Sequence, residues 1–128
     1  MNPELAAAFE PILRDLGAPS GVRPDVRDQP WLEVPQTASA SLWAPDGSGQ
    51  GVWITLGEPF AAQVVFLADQ AQEWAVEALW SLGRSTSWPP CPHHPARHPL
   101  TAVERSGRAV WACPVLGAEV NPIGAVQD

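Results

Sequence analysis

The chain has 128 residues, a formal net charge of −7 and an apolar fraction of 45%, which predicts one domain, residues 1–128, with a hydrophobic core. All seven basic residues are arginines and they are scattered, whereas nucleic-acid and anionic-membrane binders need clustered positive charge. No apolar run approaches the ~20 residues of a membrane span, and the N-terminus lacks the basic region of a secretory signal. We therefore expect a cytoplasmic protein that binds neither nucleic acid nor membrane.

The first predicted element is an amphipathic helix that begins at Asn2 or Pro3 and runs to about Leu16. Its apolar face consists of Leu5, Ala8, Phe9, Ile12, Leu13 and Leu16. Pro11 lies inside this helix and is expected to kink it or split it in two. Residues 18–30 are rich in proline and glycine and are expected to form a loop.

Extended segments follow this loop. Residues 31–34 predict a short extended segment, and residues 38–43 and 51–56 flank a glycine-rich turn, which indicates a β-hairpin. Residues 60–67 form a continuous apolar run that predicts a third strand buried on both faces, although such a run can also be helical.

A second amphipathic helix is predicted for residues 70–82, with Asp69 as its N-cap. The face expected to cover the sheet consists of Ala71, Trp74, Ala75, Ala78, Leu79 and Leu82. Val76 and Trp80 form a smaller apolar pair on the opposite side. This pair either packs under the proline-rich segment that follows or contributes to a partner surface.

The last third of the chain predicts a second hairpin, with strands at residues 100–104 and 109–113. The tail after it either adds an edge strand or lies over the core. The predicted fold class is α+β: an N-terminal helix, a mainly antiparallel sheet covered by one amphipathic helix, and a C-terminal Cys/His loop with its hairpin. Within the domain, residues 1–84 form the core and residues 85–128 the metal-binding part.

Both cysteines and all three histidines lie between positions 91 and 113. Thiolate and neutral imidazole are the preferred ligands of Zn²⁺, and a structural zinc needs four of them in a tetrahedron. Five prolines between positions 89 and 99 restrict the loop, so less conformational entropy is lost when a metal binds. The alternatives are a metal-free solvent loop or, in an extracellular protein, a disulfide between the two cysteines.

The turn from Cys91 to His94, with Pro92 after the cysteine, resembles the knuckle turns of zinc-ribbon and zinc-knuckle proteins. Cys113 and the proline after it resemble the start of a second such turn, but Leu116 stands where that turn would place its other ligand. The resemblance covers about 25 residues. With a histidine as substitute ligand, the predicted zinc set is Cys91, His94, His98 and Cys113, with His93 as the alternate.

Two catalytic alternatives use the same residues. An open site with three protein ligands and a water would make a zinc hydrolase, with Glu104 as the nearest acid in sequence. Cys91 could instead be a nucleophile with a histidine base, although the prolines and the second cysteine suit a ligand cage better. No recognised catalytic motif is present. By layout alone, a metal-free chaperone- or immunity-type binding protein is a third alternative.

The chain contains seven tryptophans and no tyrosine. Four of them lie on predicted core faces: Trp43, Trp53, Trp74 and Trp111. Trp31 and Trp88 lie in predicted loops and, with Val76 and Trp80, form the predicted partner surface. The sequence therefore predicts a small soluble adaptor, monomeric or homodimeric, with a structural zinc site and another protein as its partner.

Overall fold

The computed structural model describes residues 1–127, which form two helices and two three-stranded antiparallel sheets. The elements in chain order are α1 (Pro3–Leu16), β1 (Asp25–Arg27), β2 (Thr37–Trp43), β3 (Gly49–Thr55), α2 (Phe60–Ser81), β4 (Thr101–Arg105), β5 (Arg108–Ala112) and β6 (Glu119–Pro122). The predicted α+β class is confirmed. The predicted sheet, however, is divided into a first sheet, β1-β2-β3, and a second sheet, β4-β5-β6.

The N-terminal helix α1 has the predicted bounds. The side-chain oxygen of Asn2 accepts hydrogen bonds from the backbone N–H groups of Glu4 and Leu5 at 2.9 and 3.2 Å, which caps the helix. Pro11 lies inside the helix, which nevertheless continues as one segment of 14 residues, so the predicted division into two pieces is wrong.

The long helix α2 corrects the prediction of a third strand at residues 60–67. These residues form its first two turns, and α2 continues unbroken for 22 residues. Pro59 stands at its N-cap position, where a missing N–H costs nothing. Asp69, the predicted N-cap, is an exposed residue in the helix interior. Within this stretch only Gln63, Val64 and Leu67 are buried, whereas Phe60 and Phe66 are exposed, and burial at this 3–4 spacing on one side suits a helix rather than a strand buried on both faces.

The predicted extended segment at residues 31–34 belongs to neither sheet. This segment is held instead by the hydroxyl of Ser39, which accepts hydrogen bonds from the backbone N–H groups of Trp31 and Leu32. The edge strand beside β2 is β1, which lies within the predicted loop and pairs with the far end of β2.

Both predicted hairpins are confirmed, as β2–β3 and β4–β5. Ser106 and Gly107 connect β4 to β5 with φ angles of 53° and 76°, and positive φ at both central residues is typical of a tight type I′ hairpin turn. The tail forms β6, an edge strand antiparallel to β5, which is one of the two arrangements expected for it.

Side chains of α2 cover the free edge of the first sheet. The amide of Gln70 accepts a hydrogen bond from Trp53 N–H at 3.0 Å and donates one to Trp53 C=O at 2.7 Å. Gln63 donates to Thr55 C=O at 3.1 Å. The helix thereby satisfies backbone groups that an edge strand would otherwise expose to another chain.

A buried carboxylate joins the N-terminal helix to the C-terminal part of the chain. Asp15 is only 1% exposed. It accepts hydrogen bonds from the indole N–H of Trp111 at 2.8 Å and from the backbone N–H groups of Gly124 and Val126 at 2.7 and 3.0 Å. Among the described residues, no helix combines the length and the hydropathy needed to cross a membrane.

Candidate metal centre

The Cys/His loop, residues 88–100, is closed at its base. The N–H of Leu100 donates to Pro89 C=O at 2.8 Å, so the two ends of the loop are hydrogen-bonded to each other. The amide of Gln72 on α2 donates to both Trp88 C=O and Leu100 C=O, at 3.0 and 2.7 Å. One helix side chain therefore holds both ends of the loop against α2.

Four side chains converge where this loop meets the end of β5. The donor atoms of Cys91, His94, His98 and Cys113 all lie within 4.8 Å of one another. Cys113 Sγ is 3.5 Å from His94 Nδ1 and 4.0 Å from His98 Nε2, and Cys91 Sγ is 3.8 Å from His94 Nδ1. Both cysteines are fully buried, and the two histidines are half-buried. This cluster could hold a metal ion.

A hydrogen bond orients one of the imidazoles. Nδ1 of His98 lies 3.0 Å from the backbone carbonyl oxygen of Pro99. A carbonyl oxygen only accepts, so Nδ1 carries the proton and Nε2, which faces Cys113, presents its lone pair to the centre of the cluster. Metal-binding histidines are commonly oriented in this way.

The chain after Cys113 folds into a tight turn around the sulfur. Leu116 N–H donates to Cys113 Sγ at 3.4 Å, and Gly117 N–H donates to Cys113 C=O at 2.8 Å. Gly117 has a φ of 71°, which favours glycine. Leu116 thus supplies its backbone N–H to the sulfur at the position where a knuckle turn would carry a second ligand.

The same turn favours the ionised form of the Cys113 thiol. Burial raises the pKa of this thiol, but hydrogen bonds from the N–H groups of Leu116 and Val115, together with the Cys91 thiol, outweigh it. The net result is a pKa below the ordinary value of 9.0. Because the thiolate is the form that binds metals, the turn prepares Cys113 as a ligand.

Two other candidate residues lie outside the cluster. His93 is exposed, and its ring centroid is 6.4 Å from that of His94, so His94 and not His93 is the histidine of this turn that joins the cluster. Glu104, the candidate base of a hydrolase, lines a groove of about 580 Å³ with residues of α1 and of the β4–β5 turn.

The predicted partner surface is only partly exposed. Trp80 is 76% exposed and Trp31 47%, whereas Val76 is half-buried in a groove beside Pro99. The prediction that Trp88 is exposed is wrong, because its side chain is fully buried and its ring packs edge-to-face on Trp111 with 5.8 Å between centroids.

The assignment of the other tryptophans is half correct. Trp74 and Trp111 are buried as predicted. Trp43 and Trp53 are half-buried: the guanidinium of Arg27 lies 4.3 Å from the ring of Trp43, and Trp53 packs edge-to-face on Phe66 of α2. These two rings lie on the outer face of the first sheet, opposite its buried residues.

Sequence reasoning missed Gln72, which holds the Cys/His loop, and Asp15, which holds Trp111. Both are polar residues next to apolar positions of an amphipathic helix, and that placement is the only signal the sequence carries for them. Their acceptors and donors lie 16 to 111 residues away along the chain, so no local pattern identifies them.

No family model, no curated protein and no solved structure matches the chain significantly. The case for a metal centre therefore depends on the geometry of the cluster itself.

Proposed function

We propose that Cys91, His94, His98 and Cys113 bind one Zn²⁺ in a closed structural site. The convergence of the four donor atoms supports this proposal. In a tetrahedral site with Zn–S of about 2.3 Å and Zn–N of about 2.0 Å, sulfur and nitrogen ligands are about 3.5 Å apart. Three of the four sulfur–nitrogen separations are 3.5 to 4.0 Å, and no two donor atoms of the cluster are more than 4.8 Å apart, so a contraction of the cluster would reach that geometry.

The chemistry of the donors favours zinc over other common cations. Ca²⁺ and Mg²⁺ prefer oxygen ligands, whereas two thiolates with two imidazoles suit zinc. Four protein ligands also complete the tetrahedron and leave no position for a catalytic water, so the role we propose for the metal is structural. The ion would join the Cys/His loop to the end of β5.

Metal analysis of the purified, untagged protein tests the site. We expect about one zinc per chain in wild type, as a closed four-ligand site requires, and loss of zinc in Cys113→Ser. His93→Ala is the matched control, because it removes a neighbouring histidine outside the cluster and should keep the metal. Wild type without zinc under reducing conditions, or a His93→Ala variant that loses it, would contradict the proposal.

The function that we propose for the folded protein is to bind another protein, in a reducing compartment such as the cytoplasm, where thiolate ligands persist. The observation in favour is Trp80, which is 76% exposed on the outer face of α2. A large aromatic side chain at the surface is a typical anchor of a protein–protein interface.

The partner proposal is tested by comparing crosslinked partners of wild type with those of two variants. Trp80→Ala should fold normally, with a change in unfolding free energy within about 0.5 kcal/mol, and lose the partner. Phe60→Ala, which truncates another exposed aromatic residue at the opposite end of α2, should keep it. A partner retained equally by both variants would show that Trp80 is not the anchor.

A further inference from the structure

We infer that Cys91 and Cys113 are also a redox pair: oxidation joins them in a disulfide, and the disulfide expels the metal. This inference depends on the proposed zinc site and adds a mode of regulation to it.

The geometry singles out this pair. These are the only two cysteines of the chain, and their sulfur atoms lie within 4.8 Å of each other in the cluster. A disulfide requires about 2.05 Å, so the sulfurs must approach by less than about 3 Å. They belong to different segments, one in the Cys/His loop and the other after β5, and a small inward shift of the loop brings them together.

The composition of the site explains why the metal would leave. Two thiolates and two imidazoles form the cluster, so one two-electron oxidation removes both thiolates at once. A disulfide sulfur is no longer a thiolate ligand, and His94 and His98 alone provide half of the four donors that zinc needs. No other thiol of this chain can replace them.

The oxidant in this inference is hydrogen peroxide, which oxidises the two cysteine thiolates. One thiolate attacks a peroxide oxygen; the O–O bond breaks, a sulfenic acid forms, and the hydroxide released takes up a proton to become water. The second thiolate attacks the sulfenic sulfur; the S–S bond forms, the S–O bond breaks, and a second hydroxide leaves and becomes water. The two sulfurs supply the two electrons that reduce the peroxide, and the zinc departs unchanged as Zn²⁺.

The cluster lies beside exposed residues of its loop. Both cysteine side chains are fully buried, but their neighbours His94 and His98 are half-buried, and His93 and Arg97 in the same loop are exposed. The sulfurs therefore lie directly below the surface of the loop.

The disulfide would take over the mechanical role of the metal. Zinc and disulfide each connect the Cys/His loop to the end of β5, and only the reduced, metal-free protein lacks this connection. The melting temperature should therefore be highest for the zinc-bound form, lower for the disulfide form and lowest for the reduced, metal-free form. Oxidation would release the metal without unfolding the chain.

The experiment treats the zinc-loaded full-length protein with hydrogen peroxide and measures released zinc, free thiols and intact mass. We expect one zinc released for every two thiols lost and a decrease of about 2 Da in the mass of the metal-free chain, reversed by dithiothreitol with zinc. The disulfide form should melt about 5 °C or more above the reduced, metal-free form.

Two variants serve as controls. Cys91→Ser should lack the intramolecular 2 Da loss and gain oxygen on Cys113 instead, whereas His93→Ala should behave as wild type. Zinc retained with both thiols intact, oxygen addition without disulfide in wild type, or a disulfide form that melts no higher than the reduced metal-free form would overturn the inference. Wild type purified without zinc would contradict the proposed zinc site itself, and the mass loss on oxidation would still report separately on the cysteine pair.

Discussion

The two sheets are attached to the rest of the molecule in different ways. In the first sheet, both β2 and β3 contribute fully buried residues at every second position: Ala40, Leu42, Val52 and Ile54. In the second sheet, β4 has no fully buried residue, and burial is concentrated in β5. The second sheet has long-range polar links as well: Asp15 to Trp111, Gln72 to the loop before β4, and the four donor side chains. Two strands with buried residues position the first sheet, whereas one buried strand and these long-range contacts position the second.

Removal of zinc should give the largest effect and should separate the two regions. Zinc bound at the proposed site, at about 1,000 times its Kd, would stabilise the folded protein by about 4 kcal/mol, and a chelator would remove that contribution. Amide hydrogen exchange should rise across residues 88–113 while β2, β3 and α2 stay protected. Amide hydrogen exchange in the control variant Cys113→Ser should not change when chelator is added. In wild type, a uniform rise in exchange over the whole chain would show that the two regions are not separable.

Truncation of a core side chain should lower the stability of the fold and leave the metal content unchanged. Leu67 on α2 is fully buried, so Leu67→Ala should lower the unfolding free energy by about 2–5 kcal/mol, through lost burial and the cavity left behind. Zinc content should remain as in wild type. Denaturant unfolding and metal analysis measure the two quantities, and concurrent loss of zinc would show that the cluster depends directly on this part of the core.

Asp15→Ala tests the link between the two regions. The substitution removes the acceptor of the buried indole N–H of Trp111 and of the part-buried backbone N–H of Gly124. We therefore expect the free energy of unfolding to fall by about 2–3 kcal/mol. Asp25→Ala, at an exposed position, is the control. Urea unfolding provides the measurement, and equal stability of the two variants would show that water replaces the Asp15 contacts at no cost.

Gln70→Ala should have a smaller effect. It removes the two hydrogen bonds to Trp53, but β3 lies at the edge of its sheet, where water can reach the freed backbone groups. We expect a loss of about 1 kcal/mol in unfolding free energy and faster amide exchange at Trp53. Unchanged exchange at Trp53 would contradict the idea that this glutamine covers the edge.

The smallest expected effect is a pH dependence at Glu4. Hydrogen bonds from Gly57 N–H and then from the amide of Gln63 hold the pKa of this carboxyl below its ordinary value of 4.5. A lowered pKa stabilises the fold above the ordinary value, and this contribution is lost as pH falls through the pKa in the folded state. Wild type should therefore lose stability more steeply than Glu4→Gln between about pH 5 and pH 3. Parallel curves in acid titrations of thermal stability would contradict this expectation.

Residues close in sequence were predicted well. The Asn2 cap, the face of α1, both hairpins and the α+β class follow from spacing and turn residues that act over a few positions. The same local reasoning failed for residues 60–67, because a continuous apolar run has no period and only the packing against α1 and the first sheet decides between strand and helix. Trp88 was misplaced for a similar reason, since its burial against Trp111 depends on packing between segments that are separated along the chain.

For the candidate metal centre, the sequence by itself determined the kinds of donor, since all five candidate ligands lie between positions 91 and 113, and the set predicted from the resemblance to knuckle turns, with His93 as the alternate, is the set that converges. Only the tertiary structure decided which histidine of the Cys91 turn faces inward, which ring nitrogen of His98 is free, and how the sulfur of Cys113 is held. Ligand type is a property of single residues, whereas the direction of a side chain depends on hydrogen bonds from segments distant along the chain.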